Sequence, residues 1–307
     1  MSVIRTSAPG SLMITGEHAV LHGHTGSACA IDKRIYVELR PIDNRKIRIN
    51  SQLGKLETDY DHIDRCSDFT FVLEAIREKG MGQGIELDIA SEFSHKTGLG
   101  SSAAVTAAVC HALNGLAEAE TSPMELFRQA FFIVYAVQHT GSGCDLAASV
   151  LGGIIRLQIH GTDRNVSRLK CHEFPEIDLY YCGYKMKTPE VIALVNRKAA
   201  EDPDHYRNLY SEMGAVADRT LEALEAGDMI RTGKYFDEYE KLMEKLGVCD
   251  NTLAAIIKAL NDNANVYGAK ISGSGLGDCV MSLGIPVPKP DYMNIPVKIS
   301  DNGVASW

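Results

Sequence analysis

The run Thr97-Gly98-Leu99-Gly100-Ser101-Ser102-Ala103-Ala104, at the head of a long apolar stretch, constrains this chain more than any other segment. Glycine takes backbone angles that other residues resist, and it leaves no side chain between main-chain N–H groups and an anion. The residues from Ser101 to Ala119 have helical spacing, and a helix begun here aims its positive end at the loop. Gly98, Leu99, Gly100, Ser101 and Ser102 therefore form a candidate phosphate cradle. The two serines have three uses at such a junction: capping the helix, binding a phosphate oxygen, or helping to hold Mg2+. The spacing matches neither the Gly-Lys-Ser/Thr P-loop nor the three-glycine dinucleotide fingerprint.

Three further segments share this character. Ala8 to Leu21 runs as a short apolar strand into Gly16, Glu17 and His18. Thr140-Gly141-Ser142-Gly143-Cys144-Asp145-Leu146-Ala147-Ala148-Ser149 lets backbone approach a ligand closely and offers a single carboxylate, Asp145. Ala269 to Val280 carries a second glycine-rich loop, with Gly273, Ser274 and Gly275 as candidate backbone donors, feeding an apolar strand.

A chain of 307 residues suits two domains. Strand-like alternation covers residues 26–50 and is closed by Pro41; helical patterns cover Phe69–Lys79, Ser101–Ala119 and Pro123–Gln138, the last opened by Ser122 as N-cap. A strand from Gly153 to Ile159 finishes the first half, and polar residues from Asp163 to Pro175 mark the boundary, giving domains 1–174 and 175–307. The second half starts with a strand over Ile177–Tyr184 and a helix begun at Thr188, with Thr188 as N-cap. Long helices follow over Asp204–Ala226, Met229–Lys245 and Asn251–Asn263. Helices and antiparallel strand signals are interspersed, which predicts an α+β fold rather than a doubly wound sheet.

The formal charge of −9 argues against sequence-independent binding of nucleic acid. No apolar stretch approaches the roughly 20 residues of a membrane helix, and no signal peptide precedes the first motif. The eight cysteines, Cys66 among them, are scattered without metal-site spacing and read as reduced thiols, so a cytoplasmic enzyme is expected.

Together the four segments resemble the GHMP small-molecule kinase superfamily and, within it, the mevalonate and phosphomevalonate kinases, over nearly the whole chain. The resemblance implies a two-domain fold with the active site in the cleft between domains, ATP and Mg2+ as cofactors, and a small acceptor. A homodimer is the candidate assembly, with neither nucleic acid nor membrane as partner. It implies that Ser102 assists the metal and that Glu17 and His18 lie by the acceptor. Phosphomevalonate kinases more often carry Glu-Tyr at that place, so His18 favours mevalonate. Ser142 and the turn at Thr188 are expected at the acceptor as well.

Asp145, the one acid among the small residues from Thr140 to Ser149, is the candidate group for taking or orienting the hydroxyl proton, the alternative being a cap on the next helix. The chain also departs from the family pattern. Ser11 stands where mevalonate kinases have a lysine, and Val134 where they have a metal-binding glutamate. Lys96, Lys185 and Lys187 are candidates to replace the lysine. Asp278, in Gly-Asp-Cys, is closer to the phosphomevalonate kinases. Phosphorylation of mevalonate is thus the leading expectation, with phosphomevalonate as alternative acceptor and a non-catalytic sensor as a third reading; the Ser-Ala-Cys-Arg run of diphosphomevalonate decarboxylases is absent.

Overall fold

The computed structural model describes residues 3–63, 67–80, 82–171 and 173–307, so Cys66 lies outside the described residues. The first half contains β1 (Ile4–Thr15), β2 (Gly26–Ile42), β3 (Lys46–Ser51), β4 (Gly54–Asp59), α1 (Thr70–Lys79), β5 (Gly84–Ser91), α2 (Ser101–Leu116), α3 (Pro123–Gln138), α4 (Cys144–Leu151), β6 (Ile154–His160) and β7 (Asp163–Arg168). The second contains β8 (Ile177–Lys185), α5 (Thr188–Glu201), α6 (Pro203–Glu225), α7 (Met229–Leu246), α8 (Asn251–Asn261), β9 (Gly268–Ser272), β10 (Gly277–Leu283), β11 (Met293–Ile295) and β12 (Ala305–Ser306).

The first sheet runs β12-β1-β2-β5-β3-β4, with β6 beside β2 and β7 beside β6; the second runs β11-β8-β10-β9. The long strand β2 organises the first sheet. From Ile35 to Leu39 its residues alternate buried and half-buried, as expected of a sheet covered on one face. From Gly26 to Ile31 every residue is buried, because this end is covered on both faces. There Leu12, Ile14, Cys29 and Ile31 pack with Leu179, Phe236 and Met281 of the second half in one apolar cluster. The two halves thus share a core, which fixes the walls of the cleft between them. This is the α+β, two-domain architecture expected from the sequence.

Helix α3 has the predicted limits because Ser122 and Glu125 form a reciprocal capping box and Pro123 sits in the first turn. Elsewhere the structure differs from expectation. Pro41 lies inside β2, opposite Ile85; β1 begins only opposite Leu39, so the missing N–H of Pro41 interrupts no ladder on that side. Residues 163–168 form β7 in a hairpin with β6 rather than a linker. Thr188 is the first helical residue of α5 and Lys187 its N-cap, so the expected threonine cap is not formed. The chain end returns to the first sheet: Ile299 bridges to Ile31, and β12 pairs with β1.

Candidate active site

Helices α2 and α4 pack side by side across β1 and β2. The Thr6 hydroxyl donates to Ala108 O at 2.8 Å, and the Ser149 hydroxyl donates to Pro9 O at 2.8 Å, tying both helices to β1. Their N-termini open on one cleft of about 990 Å³ between the domains. Each helix starts at a glycine in the left-handed region, Gly100 (φ 66) for α2 and Gly143 (φ 86) for α4. Those φ values place glycine there. Neither Ser101 nor Ser102 caps α2, since Gly100 is the N-cap. The first turn of a helix has N–H groups without intrahelical acceptors, and here the residues of that turn, Ser101 and Ser102 among them, line the cleft.

Of the residues expected at the site, Glu17, His18, Gly98, Leu99, Gly100, Ser101, Ser102, Ser142, Asp145, Thr188, Gly273 and Ser274 line this cleft. Gly275 does not; a Cβ there would lie 2.5 Å from Val248 O, so this glycine is needed for packing against the segment after α7. Thr106, one turn on from Ser102 in α2, is buried and donates to Ser102 O at 2.7 Å. Among the three lysines, Lys96 is exposed and off the cleft, whereas Lys185 and Lys187 line it.

Asp145 occupies the first turn of α4, where the helix dipole favours a carboxylate, and its Oδ1 accepts from Leu146 N at 2.9 Å. It is not the N-cap. Burial pushes its pKa above the usual aspartate value, against the pull of the backbone N–H groups and the Lys185 charge. Ser142 Oγ accepts from Cys144 N, and Arg164 Nε donates to Ser142 O, which fix the loop before α4.

His18 adopts φ 60, unusual for a residue with a Cβ, and is buried. Its Nε2 lies 2.9 Å from the Ser274 carbonyl and so donates to it, leaving Nδ1 as an acceptor. Burial lowers its pKa, so the ring is neutral at pH 7. Glu17 differs from expectation. Its Oε1 is 2.6 Å from Lys270 Nζ with both side chains almost fully buried, and Tyr239 Oη accepts from Gly16 N and donates to Glu17 O. Glu17 reaches the cleft, but its charge is committed to a clamp between β1 and β9.

The second glycine loop completes the wall. Asp278, at φ 69, lies 2.9 Å from Lys185 through Oδ1. A Cβ on Gly98 would lie 2.5 Å from that oxygen, and one on Gly273 2.9 Å from Oδ2, so the carboxylate sits between the two loops. Ser11 is buried with its hydroxyl unpartnered, and Val134 belongs to an apolar wall with Leu21, Phe131, Val137 and Ile192.

Sequence reasoning missed an apolar part of the cleft lining, supplied by Leu53, Phe69, Phe71, Val72, Ile89 and Phe93. Phe93 carried a signal, as a lone aromatic amid Ser91, Glu92, Ser94 and His95. Lys270 carried another, a lysine within the apolar strand segment Gly268–Ser272.

The description GHMP kinases N terminal domain matches residues 68–153, and GHMP kinases C terminal matches residues 220–289. The mevalonate kinase of Pyrococcus furiosus is 30% identical over 307 residues, covering 92% of this chain and 89% of that protein. The crystal structure of Methanococcus jannaschii mevalonate kinase aligns with a TM-score of 0.80 at 22% identity, over 97% of this chain and 98% of the other. That of Streptococcus pneumoniae phosphomevalonate kinase, in complex with phosphomevalonate and AMPPNP, aligns at 0.78 and 21% identity, over 92% of each chain. The two TM-scores are too close for the fold to choose between acceptors. With the N- and C-terminal domains in order and a curated relative matched along nearly its full length, the chain belongs to the GHMP kinases, the ATP-dependent small-molecule kinases, and within them to the mevalonate kinase family.

Proposed function

We propose that the protein transfers the γ-phosphoryl group of ATP to the primary hydroxyl of mevalonate, giving 5-phosphomevalonate and ADP. The observation that carries this reading is the meeting of Asp145, at the start of α4, with the glycine-opened start of α2 on one cleft. Phosphoryl transfer asks little covalent chemistry of a protein; it asks for positioned phosphates, offset charge and a group at the attacking hydroxyl. Gly98 to Ser102 and Gly273–Ser274 hold the nucleotide phosphates through backbone N–H groups and hydroxyls. Asp145, in its ionised form, accepts the hydroxyl proton as the new P–O bond forms and the bond to ADP breaks.

His18 contributes a neutral acceptor at Nδ1, held in place by the bond from Nε2 to Ser274 O. Glu17 serves by fixing the turn that carries His18. Ser142 and Thr188 bound the acceptor end, and the apolar wall of Leu21, Phe131, Val134, Val137 and Ile192 suits the carbon skeleton of mevalonate better than a second phosphate. Lys185 is already paired with Asp278, which leaves Lys187 as the free cation at that end among the described residues.

Mg2+ prefers oxygen ligands and keeps several waters and substrate phosphates in its shell. Ser102 and Asp145 offer such donors at adjacent helix starts, so the site fits the ion even with Val134 in place of an acid. There it would offset charge on the β- and γ-phosphates. A cytoplasmic setting goes with this reading: Cys29, Cys110, Cys144, Cys171, Cys182, Cys249 and Cys279 are free thiols, and no helix among the described residues is long and apolar enough to cross a membrane.

The test is ADP release with ATP and Mg2+ in three parallel reactions: mevalonate, 5-phosphomevalonate, and no acceptor. Turnover with mevalonate alone is expected. Turnover with 5-phosphomevalonate alone would transfer the assignment to the alternative acceptor, and silence in all three would overturn the kinase reading.

A further inference from the structure

The end of helix α7 gathers acidic groups around one buried, unbonded oxygen. Glu240 and Glu244 lie one turn apart on α7, where like charges at i and i+4 oppose each other. Glu244 also sits in the last turn, at the negative end of the helix dipole. Beyond the helix end the chain brings Cys249 back to the pair, and one ligand atom from each of the three residues lies within 4.8 Å of the others. Glu240 is 3% exposed; its Oε2 accepts from Ile271 N at 2.8 Å, while its Oε1 is buried without a hydrogen-bond partner. The Cys249 thiol donates instead to Asp250 O at 3.8 Å. Lys270, whose charge Glu240 feels, is bonded to Glu17 at 2.6 Å.

We propose that Glu240, Glu244 and Cys249 form a zinc site that braces the second glycine loop from behind. Carboxylate oxygen and thiolate sulfur are both zinc donors, bound at about 2.0–2.2 Å and 2.3 Å, and a tetrahedron with such bonds sets its corners about 3.5 Å apart. Glu244 is exposed, so its side chain can rotate to close the difference, and a water completes the four ligands. The sulfur donor selects Zn2+ over Mg2+, which takes oxygen ligands. Zinc takes the place of the thiol proton, which leaves to solvent together with any proton held by Glu240. Burial, and after it the Glu240 charge, pushes the Cys249 thiol up, so this electronegative cluster suits a cation.

The position of the cluster gives it a purpose in the fold. Glu240 is bonded to β9 at Ile271, two residues before Gly273. Val248, next to Cys249, accepts from Leu276 N at 2.7 Å, and a Cβ on Gly275 would lie 2.5 Å from Val248 O. On the other side of Cys249, Asp250 caps α8 and accepts from Tyr184 Oη at 2.7 Å. A metal joining Cys249 to α7 therefore fixes the segment on which the loop from Gly273 to Gly277 rests.

The experiment takes the full chain, freed of metal with a chelator, and titrates it with Zn2+ or Co2+ in excess Mg2+, with Cys249→Ser and Glu244→Gln alongside. One Zn2+ per chain is expected, and Co2+ is expected to give a thiolate-to-metal charge-transfer band that Cys249→Ser abolishes. Zn2+ affinity should fall by about 100-fold in Cys249→Ser and about tenfold in Glu244→Gln. With Zn2+ at about a hundred times its dissociation constant, the Tm of the wild type should rise by about 5 °C. Without metal both variants should melt within about 2 °C of wild type, so that lost binding is not a folding defect. Hydrogen exchange at the Leu276 amide, read by NMR, should slow by about tenfold when Zn2+ is added to the wild type and stay unchanged in Cys249→Ser. The absence of saturable Zn2+ binding, a cobalt band that persists in Cys249→Ser, or Leu276 exchange indifferent to bound Zn2+ overturns the proposal. Metal binding is read without nucleotide or acceptor, so a wild-type protein that turns over neither acceptor overturns the kinase reading alone.

Discussion

The ion pair between Glu17 and Lys270 makes a quantitative demand. Glu17 leaves the end of β1 in the first half and Lys270 lies in β9 of the second, with side-chain exposures of 2% and 0% and an N–O distance of 2.6 Å. Replacing one partner strands the other charge out of water, a defect that costs about 3–5 kcal/mol. Glu17→Gln should fall near the lower end, because Glu240 also acts on the Lys270 charge. For a chain of this length each kcal/mol moves Tm by about 2 °C or slightly more, so a fall of roughly 6–10 °C is expected. The double variant Glu17→Gln with Lys270→Met should be less destabilised than the sum of the single variants, since no lone charge is left behind. Urea unfolding of the three variants, read by circular dichroism and tyrosine fluorescence, gives the cycle. If Glu17→Gln costs less than 1 kcal/mol while raising KM for the acceptor severalfold, Glu17 is a substrate ligand and the clamp is wrongly assigned.

Further outcomes follow from the same geometry. Asp145→Asn should keep ADP binding, measured by isothermal titration, while kcat falls by about 10²–10⁴; near-normal turnover would remove Asp145 from the reaction. In the wild-type protein the acidic limb of kcat should lie above the ordinary aspartate range, because burial raises the pKa of Asp145 and activity needs the ionised form; a limb at or below that range would contradict it. Gly98→Ala forces a Cβ to 2.5 Å from Asp278 at φ 71, so ADP binding should weaken by about tenfold, with about 1–2 kcal/mol lost in stability. Glu240, buried with Oε2 accepting from Ile271 N, has its pKa pushed up to about 7. The folded state therefore holds a proton that the unfolded state releases above its ordinary value of 4.5, and this contribution, full below that pH, is lost as pH rises through 7. Relative to wild type, Glu240→Gln should gain about 3 kcal/mol in urea-derived stability between pH 4.5 and pH 8; a difference independent of pH would refute the assignment.

The parts of this protein that local chemistry dictates could be read from the sequence. The capping box at Ser122–Glu125 set the start of α3, and the glycine runs marked two of the loops that line the cleft, because few other residues take their backbone angles. What escaped was non-local. Lys270 lies 253 residues from Glu17, and Lys185 and Asp278 meet only through a break in the ladder between β8 and β10; no periodicity encodes either encounter. Residues 163–168 looked like a linker because the strand is polar on both faces, and it forms because β6 offers an open edge. Thr188 followed the usual preference for a hydroxyl cap, but the helix starts one residue earlier in register, with Lys187 as cap.

The most direct measurement is the 31P NMR spectrum of the purified protein incubated with ATP, Mg2+ and mevalonate, with Asp145→Asn run alongside. The account predicts a new phosphomonoester signal coupled to the C5 methylene protons of mevalonate, growing with the ADP resonances and absent from the variant. An ATP spectrum that stays unchanged with mevalonate, or a diphosphate signal that forms only when 5-phosphomevalonate is supplied, would contradict it.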